Sequence, residues 1–391
     1  MIVLLALLPW IVLPILALAR GARSRQLRDE SPDVPPNAPR LSIIIPARNE
    51  ERNIDSCLHA ALASTYTPLE IIVVNDHSTD RTADLVHTIA RTDPRVRLID
   101  NPDLPTGWFG KQWACHNGAN AATGELVLFL DADTRLTPEA IARAINAANR
   151  THADFLSVLS HQELGSFWER VVQPQILSMI AARYGGTEIV NRAKHARDKI
   201  ANGQFILVRA STYHELGGHT IVRAHVAEDL KLAQLYFEAG RTTTLILGWD
   251  YVITRMYTSL HEVVAGWRKN VFVGGRESVR FGALGQAIFP LALLTPPILQ
   301  LLPIATLCAI LAGMASPALL PWSLAAIACT VAWWLISYTV MQIPLRYALT
   351  YPLGAAIAFY TFASAIKRGH NVSWKGRDYR SDRAPTTSAA H

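Results

Sequence analysis

Three apolar blocks, at residues 283–313, 319–344 and 347–366, constrain what this chain can fold into, because each is long enough to cross a bilayer core of about 30 Å. In hydrocarbon every backbone N–H and C=O must be satisfied within the segment, so the blocks are expected to be helices. Pro290, Pro296, Pro297 and Pro303 mark the first block as the one expected to bend or to lie partly in the interface. A further apolar stretch, residues 1–19, opens the sequence and is followed at once by Arg20, Arg23, Arg25 and Arg28. A cleaved signal peptide carries its positive residues first, so the reverse order reads as an uncleaved anchor with a cytoplasmic basic flank. Four full spans would put both termini on the outer face if the middle is cytoplasmic. Lys367, Arg368, Lys375, Arg377 and Arg380 instead favour a cytoplasmic tail, and a re-entrant or interfacial block would reconcile the two. The chain therefore reads as a multi-pass protein of the inner membrane with a cytoplasmic middle.

The net charge of +6 does not call for nucleic acid. Much of the basic excess lies beside the apolar blocks, where attraction to anionic lipid head groups accounts for it. Cys57, Cys115, Cys308 and Cys329 are too scattered for a metal spacing and read as reduced residues.

The middle of the chain has a different pattern. Residues 31–39, rich in proline, form a stiff linker, and from Arg40 onward β-branched runs alternate with helical periodicity. Strands are expected at 41–46, 69–74, 96–99 and 125–130, with helices over 49–63, 82–90, 113–122 and 138–149. That alternation predicts βαβ units around a mostly parallel sheet. Further strands are expected at 153–159 and 202–209, and a helix over 230–239. Residues 166–183 read either as an amphipathic helix near a membrane surface or as an ordinary core helix. The tail after Arg380 reads as disordered. The expected organisation is an anchor at 1–19, a basic Pro-rich linker at 20–39, an α/β domain at 40–257, an interfacial segment at 258–282, an apolar region at 283–366 and a basic tail at 367–391.

Acidic residues fall at the ends of these elements. Asp131-Ala132-Asp133 follows a strand, Asp76 follows another, and Glu228-Asp229 opens a helix. Ligands in open α/β sheets collect beyond the carboxyl ends of strands, which favours a site. Each also has a plain alternative, an acidic turn for the strand ends and dipole stabilisation for the helix start.

Taken in order, Ser42-Ile43-Ile44-Ile45-Pro46-Ala47-Arg48-Asn49-Glu50, Val74-Asn75-Asp76-His77-Ser78-Thr79-Asp80-Arg81-Thr82, Asp131-Ala132-Asp133 and Ala227-Glu228-Asp229 carry a resemblance over residues 40–280. They resemble the inverting, nucleotide-sugar-dependent family-2 glycosyltransferases of GT-A fold. Gly107-Trp108-Phe109-Gly110-Lys111 and the closing Ser373-Trp374-Lys375-Gly376-Arg377-Asp378-Tyr379 look like the membrane-bound branch with hopanoid-associated and carotenoid-acid glycosyltransferases. The resemblance implies a Rossmann-like GT-A domain flanked by transmembrane helices. It also implies a nucleotide-diphosphate sugar donor, a lipid acceptor of isoprenoid type and a divalent metal, Mg2+ or Mn2+.

By the family pattern, Asp76 holds the nucleobase, Asp131 the ribose or a metal-bound water, and Asp133 the metal; Pro46, Arg48 and Glu50 belong to the donor-binding loop. Lys111 could reach the diphosphate as a mobile point charge, with a solvated loop lysine as its plain alternative, and Arg268 is a further candidate there. Asp229 is expected to be the base, with Glu228 as its supporting neighbour. The chemistry needs these residue types. A leaving diphosphate requires a hard cation held by carboxylate oxygen, and an acceptor hydroxyl of high pKa requires a base beside the anomeric carbon. One base and an assisted leaving group imply a single displacement with inversion, whereas retention would need a nucleophilic carboxylate that no motif supplies.

Processive polysaccharide synthases of the same family carry Gln-x-x-Arg-Trp on an interfacial helix. Here the corresponding segment is Val263-Val264-Ala265-Gly266-Trp267-Arg268-Lys269-Asn270, with no Gln and with Trp and Arg reversed. This argues against processive polymerisation, and a basic residue flanking a membrane is the plain alternative for Arg268. A processive synthase and a non-catalytic nucleotide- or lipid-binding membrane protein are the competing readings.

Overall fold

A computed structural model describes residues 2–21, 23–369, 371–374 and 377–380; the tail expected to be disordered, residues 381–391, lies outside them. The chain divides into two compact units, one of residues 24–163, 190–256 and 370–391, the other of residues 1–23, 164–189 and 257–369.

Helix α1 (Ile2–Gly21) belongs to the second unit. The first unit then runs β1 (Leu41–Ala47), α2 (Ile54–Leu62), β2 (Leu69–Asn75), α3 (Thr82–Ala90), β3 (Val96–Asp100), α4 (Gly110–Ala121), β4 (Leu126–Leu130), β5 (Thr134–Leu136), α5 (Ala140–Thr151), β6 (Phe155–Leu159) and β7 (His161–Gln162). After α6 (Phe167–Tyr184) and α7 (Thr187–Asn191) it resumes with β8 (Phe205–Arg209), α8 (Ala210–Glu215), α9 (Glu228–Glu238), β9 (Thr243–Leu247) and β10 (Val252–Thr254). Helices α10 (Leu260–Glu277), α11 (Gly282–Leu311), α12 (Leu320–Val340) and α13 (Tyr351–Arg368) follow, then a hairpin of β11 (Asn371–Trp374) and β12 (Arg377–Arg380).

The main sheet has seven strands in the order β3-β2-β1-β4-β8-β6-β9. Strand β1 is apolar on both faces because both are covered. Leu41, Ile43 and Ile45 pack with Leu58, Val86 and Ile145, while Ile44 packs with Ile72, Val74, Ala114 and Cys115. Each such fully buried Ile or Leu contributes about 1.5–3 kcal/mol. Helix α2 buries Ile54, Cys57, Leu58 and Ala61, one stripe at helical spacing. Helix α4 approaches β1 so closely that a Cβ at Gly118 would stand 2.3 Å from Ile44 Cγ2.

The parallel ladder β3-β2-β1-β4 follows the expected alternation, and β9, a strand not expected from the sequence, extends the sheet parallel to β6. Strand β8 departs from that alternation: it runs antiparallel to both β4 and β6, with Phe205 opposite Leu130. Its start therefore lies at the edge where β1, β2, β4 and β6 end. A small sheet, β5-β10-β7, adds strands too short for a periodicity reading.

Among the described residues of the second unit, three helices, Gly282–Leu311, Pro317–Val340 and Leu345–Arg368, are long and apolar enough to cross a membrane, and Ala6–Gly21 is a shorter apolar helix. Helix α11 continues through Pro290, Pro296, Pro297 and Pro303 as one helix. Residues 164–189, expected within a continuous α/β segment, group instead with these helices. Helix α6 starts at a capping box, in which Ser166 Oγ accepts from Glu169 N–H at 3.3 Å and Glu169 accepts from Ser166 N–H. Its Val171, Val172 and Ile176 are buried with Val263, Trp267, Ala358 and Phe362. A Cβ on Gly354 of α13 would meet Val171 O at 2.4 Å, so glycine permits that approach.

Candidate functional site

The loops after β1 and β2 are laced together. Asn49 N–H donates to Ser78 Oγ at 3.1 Å, Asn49 Oδ1 accepts from Thr79 N–H at 2.8 Å, and Glu50 N–H donates to Thr82 Oγ1 at 2.8 Å. Asn49 (φ 52°) and His77 (φ 55°) both take the left-handed conformation that these turns need. Pro46 lies past Ile44, the last β1 residue paired with β4.

Arg48 reaches across this lacing. Its Nη1 donates to Asp76 O at 2.7 Å and lies 3.9 Å from Asp76 Oδ2. Asp76, only 3% exposed, also accepts from Asn101 Nδ2 at 3.1 Å, and Asn101 Oδ1 accepts in turn from Asn117 Nδ2 at 2.7 Å. The buried Asp76 carboxylate thus has an amide donor and a guanidinium beside it.

The opposite side of the edge concentrates charge. Lys111, in the first turn of α4, places Nζ 2.8 Å from Asp131 Oδ1 and 3.0 Å from Glu228 Oε1. Burial alone would depress this ammonium, but the two carboxylates outweigh it and hold its pKa well above the ordinary lysine value. For Asp131 the balance goes the other way: burial raises its pKa more than Lys111 lowers it, and Glu228 and Glu50 add to the rise.

Asp229, beside Glu228 at the start of α9, accepts from Gly203 N–H at 2.8 Å through Oδ2 and from Leu230 N–H at 2.8 Å through Oδ1. Its pKa is pushed up to about 6, by burial first and by Glu228 second, with Lys111 opposing. His219, buried under this cluster and bonded to Tyr213 Oη at 2.8 Å, is brought down to about 3 by burial and is neutral.

The structure thus brings together Asp131, Lys111, Glu228 and Asp229 as one contiguous group, with Arg48 and Asp76 as a second. Asp133 is half-buried and lies 3.4 Å from Thr134 Oγ1. The Cys57 thiol, raised first by burial, is raised further by Asp133, Asp131 and Glu50, so these three carboxylates share one neighbourhood. Arg268 is on α10, in the unit of apolar helices, where burial and then Arg368 lower its pKa.

Among the described residues no three His, Cys, Asp or Glu side chains gather as a ready-made metal cage. Mg2+ and Mn2+ sites do not require one, since a carboxylate or two with substrate phosphates completes the shell. Asp133 beside Asp131 offers hard oxygen donors of that kind, and the residues fit such an ion.

Asn101, Asn117 and Gly203 are not among the site residues expected from the sequence, and Gly203, expected within a strand at 202–209, precedes β8, which starts only at Phe205. The Asn202-Gly203 pair is a turn signal, but nothing local says which carboxylate that turn will meet. A Cβ on Gly203 would lie 3.1 Å from Asp229 Oδ2 and 3.3 Å from Lys111 Nζ, so the bare backbone lets both groups close in.

Comparison with known proteins bears on this arrangement. Residues 42–217 match the profile described as Glycosyl transferase family 2. The 4,4'-diaponeurosporenoate glycosyltransferase of Staphylococcus aureus (strain USA300) is 30% identical over 238 residues, which is 60% of this chain and 61% of that one. The mannosyltransferase of Pyrobaculum calidifontis, solved in complex with GDP-Man and Mn2+, superposes with a TM-score of 0.56 at 18% identity, over 94% of this chain and 97% of that one. That likeness is one of fold.

Proposed function

We propose, from the family-2 glycosyltransferase match over residues 42–217 and the GT-A fold, that the chain moves one sugar from a nucleotide-diphosphate sugar to a lipid acceptor, with inversion, at the cytoplasmic face of the inner membrane. The observation that carries this reading is Asp229: a carboxyl with its pKa near 6, aimed by Gly203 N–H and Leu230 N–H and set beside the Asp131–Lys111–Glu228 group.

A general base works best when its pKa lies near the operating pH. Asp229 takes the proton from the acceptor's hydroxyl as that oxygen bonds to the anomeric carbon and the bond to the leaving nucleoside diphosphate breaks; Glu228 supports it. Asp76, kept in place by Arg48 and Asn101, binds the nucleobase, and the loop of Pro46, Arg48 and Glu50 closes the donor pocket. Asp131 serves the ribose. Asp133 would hold Mg2+ or Mn2+, which when bound neutralises charge developing on the leaving diphosphate.

Two observations support a lipid acceptor of isoprenoid type: the three helices long and apolar enough to cross a membrane, and the carotenoid-acid substrate in the name of the Staphylococcus aureus relative. The test supplies membranes containing the full chain with labelled UDP-glucose, UDP-GlcNAc or GDP-mannose and Mn2+ or Mg2+. Metal-dependent label in the organic extract is the expected result. Label confined to insoluble polymer would identify a processive synthase, and no donor turnover by folded protein would identify a binding protein.

A further inference from the structure

We infer that Lys111 is a positioning residue for the base: its ammonium clamps the acidic pair opening α9 to the end of β4 and so keeps Asp229 aimed and ready to accept a proton. This rests on the reading of Asp229 as the base. It departs from the diphosphate role for which the sequence makes Lys111 a candidate.

The geometry favours the clamp. The ammonium is engaged by Asp131 Oδ1 at 2.8 Å and Glu228 Oε1 at 3.0 Å, so two of its three N–H donors face carboxylates. Its backbone is anchored as well. Phe109 N–H donates to Arg223 O at 2.9 Å and Gln112 Nε2 donates to His225 O at 2.6 Å, which ties the start of α4 to the segment leading into α9. Both the ammonium and the Asp229 carboxylate then rest on the bare backbone of Gly203.

Electrostatics give the clamp a function. Glu228 and Asp229 are adjacent carboxylates, and each disfavours the charge of the other. The charged and titratable groups facing them are Lys111 and Cys115 on α4, Asp131 after β4 and His219 in the turn before α9; Glu50, Asp133 and Cys57 stand on the Asp131 side. Lys111 is a cation bonded to both Glu228 and Asp131, so its loss removes that positive charge from beside Glu228 and strengthens the repulsion felt by Asp229.

The test measures label transfer by the full chain in membranes, from UDP-glucose, UDP-GlcNAc and GDP-mannose with Mn2+, between pH 5 and pH 9. Lys111→Met is expected to move the acid limb of kcat up by about one pH unit while donor KM stays within about twofold. Lys111→Arg should restore the limb. The double variant Lys111→Met with Glu228→Gln should bring it back too, because the repelling charge has gone. A Lys111→Met enzyme with raised donor KM at every pH and an unmoved limb would overturn the clamp in favour of a diphosphate contact.

A substrate-free reading uses melting midpoints of the full chain in detergent. A carboxyl whose folded pKa is raised binds a proton that the unfolded chain has released, so its contribution to stability falls as pH climbs from about 3.9 toward about 6. Lys111→Met should extend that fall to higher pH, and Glu228→Gln should cancel the extension. An equal loss at all pH values, uncorrected by Glu228→Gln, would mark Lys111 as merely structural and overturn the inference. Failure of the base reading is separate: Asp229→Asn would then retain transfer whatever Lys111 does.

Discussion

Asp76 and Asp229 meet the same edge of one sheet in opposite conditions. Asp76 is deeply buried and surrounded by donors: Asn101, backed by Asn117, and the Arg48 guanidinium nearby. Asp229 has two backbone N–H donors, but it also has a carboxylate next to it, and its pKa rises to about 6. The base role proposed for Asp229 requires incomplete compensation of its charge, because full compensation would make it too weak a base. The edge is thus divided into a satisfied half and a poised half.

The sharpest break in this comparison is Asp229→Asn. It is expected to lower kcat by about 100- to 10,000-fold while leaving binding of labelled nucleotide unchanged. In the unaltered enzyme, kcat should fall about tenfold per pH unit below about 6, where the Asp229 carboxyl protonates. Unchanged transfer by the variant would remove the distinction between the halves. Asp133→Ala should weaken the Mn2+ titration of donor binding by at least about tenfold, measured with labelled GDP-mannose or UDP-glucose at rising metal concentration. An unaltered titration would take the metal away from Asp133.

Gly203→Ala sharpens the comparison by disturbing aim without altering charge. The added methyl falls 3.1 Å from Asp229 Oδ2 and 3.3 Å from Lys111 Nζ, and kcat should drop about tenfold with donor KM little changed. The smallest effect is expected on the satisfied half. Asn101→Ala removes one hydrogen bond from Asp76 and should raise donor KM about five- to tenfold at constant kcat. A kcat defect as large as that of Asp229→Asn would show that the two halves are not separate.

Much of the fold was legible because both faces of the parallel strands are covered, which turns β1, β2 and β4 into continuous apolar runs. The ends of such runs then mark where ligands gather, so Asp76 and Asp131-Ala132-Asp133 stood out before any coordinates. Residues 164–189 were harder. Their helical character was clear, but Val171, Val172 and Ile176 suit an α/β core as well as a bundle of apolar helices, and only packing decides between them.

The amino-acid sequence by itself determined the longer helices and strands of residues 41–209, the apolar helices and the acidic strand ends, since each depends on periodicity within a dozen or so residues. The short β5, β7 and β10 and the strand β9 emerged only in the structure. The tertiary structure decided the direction of β8 and the partners of Lys111. Strand direction is set by pairing with β4 and β6, far along the chain, and that reversal carries Gly203 to Asp229. A lysine's long, flexible side chain finds its counter-charges only after the strands have placed them, and here they are Asp131 and Glu228.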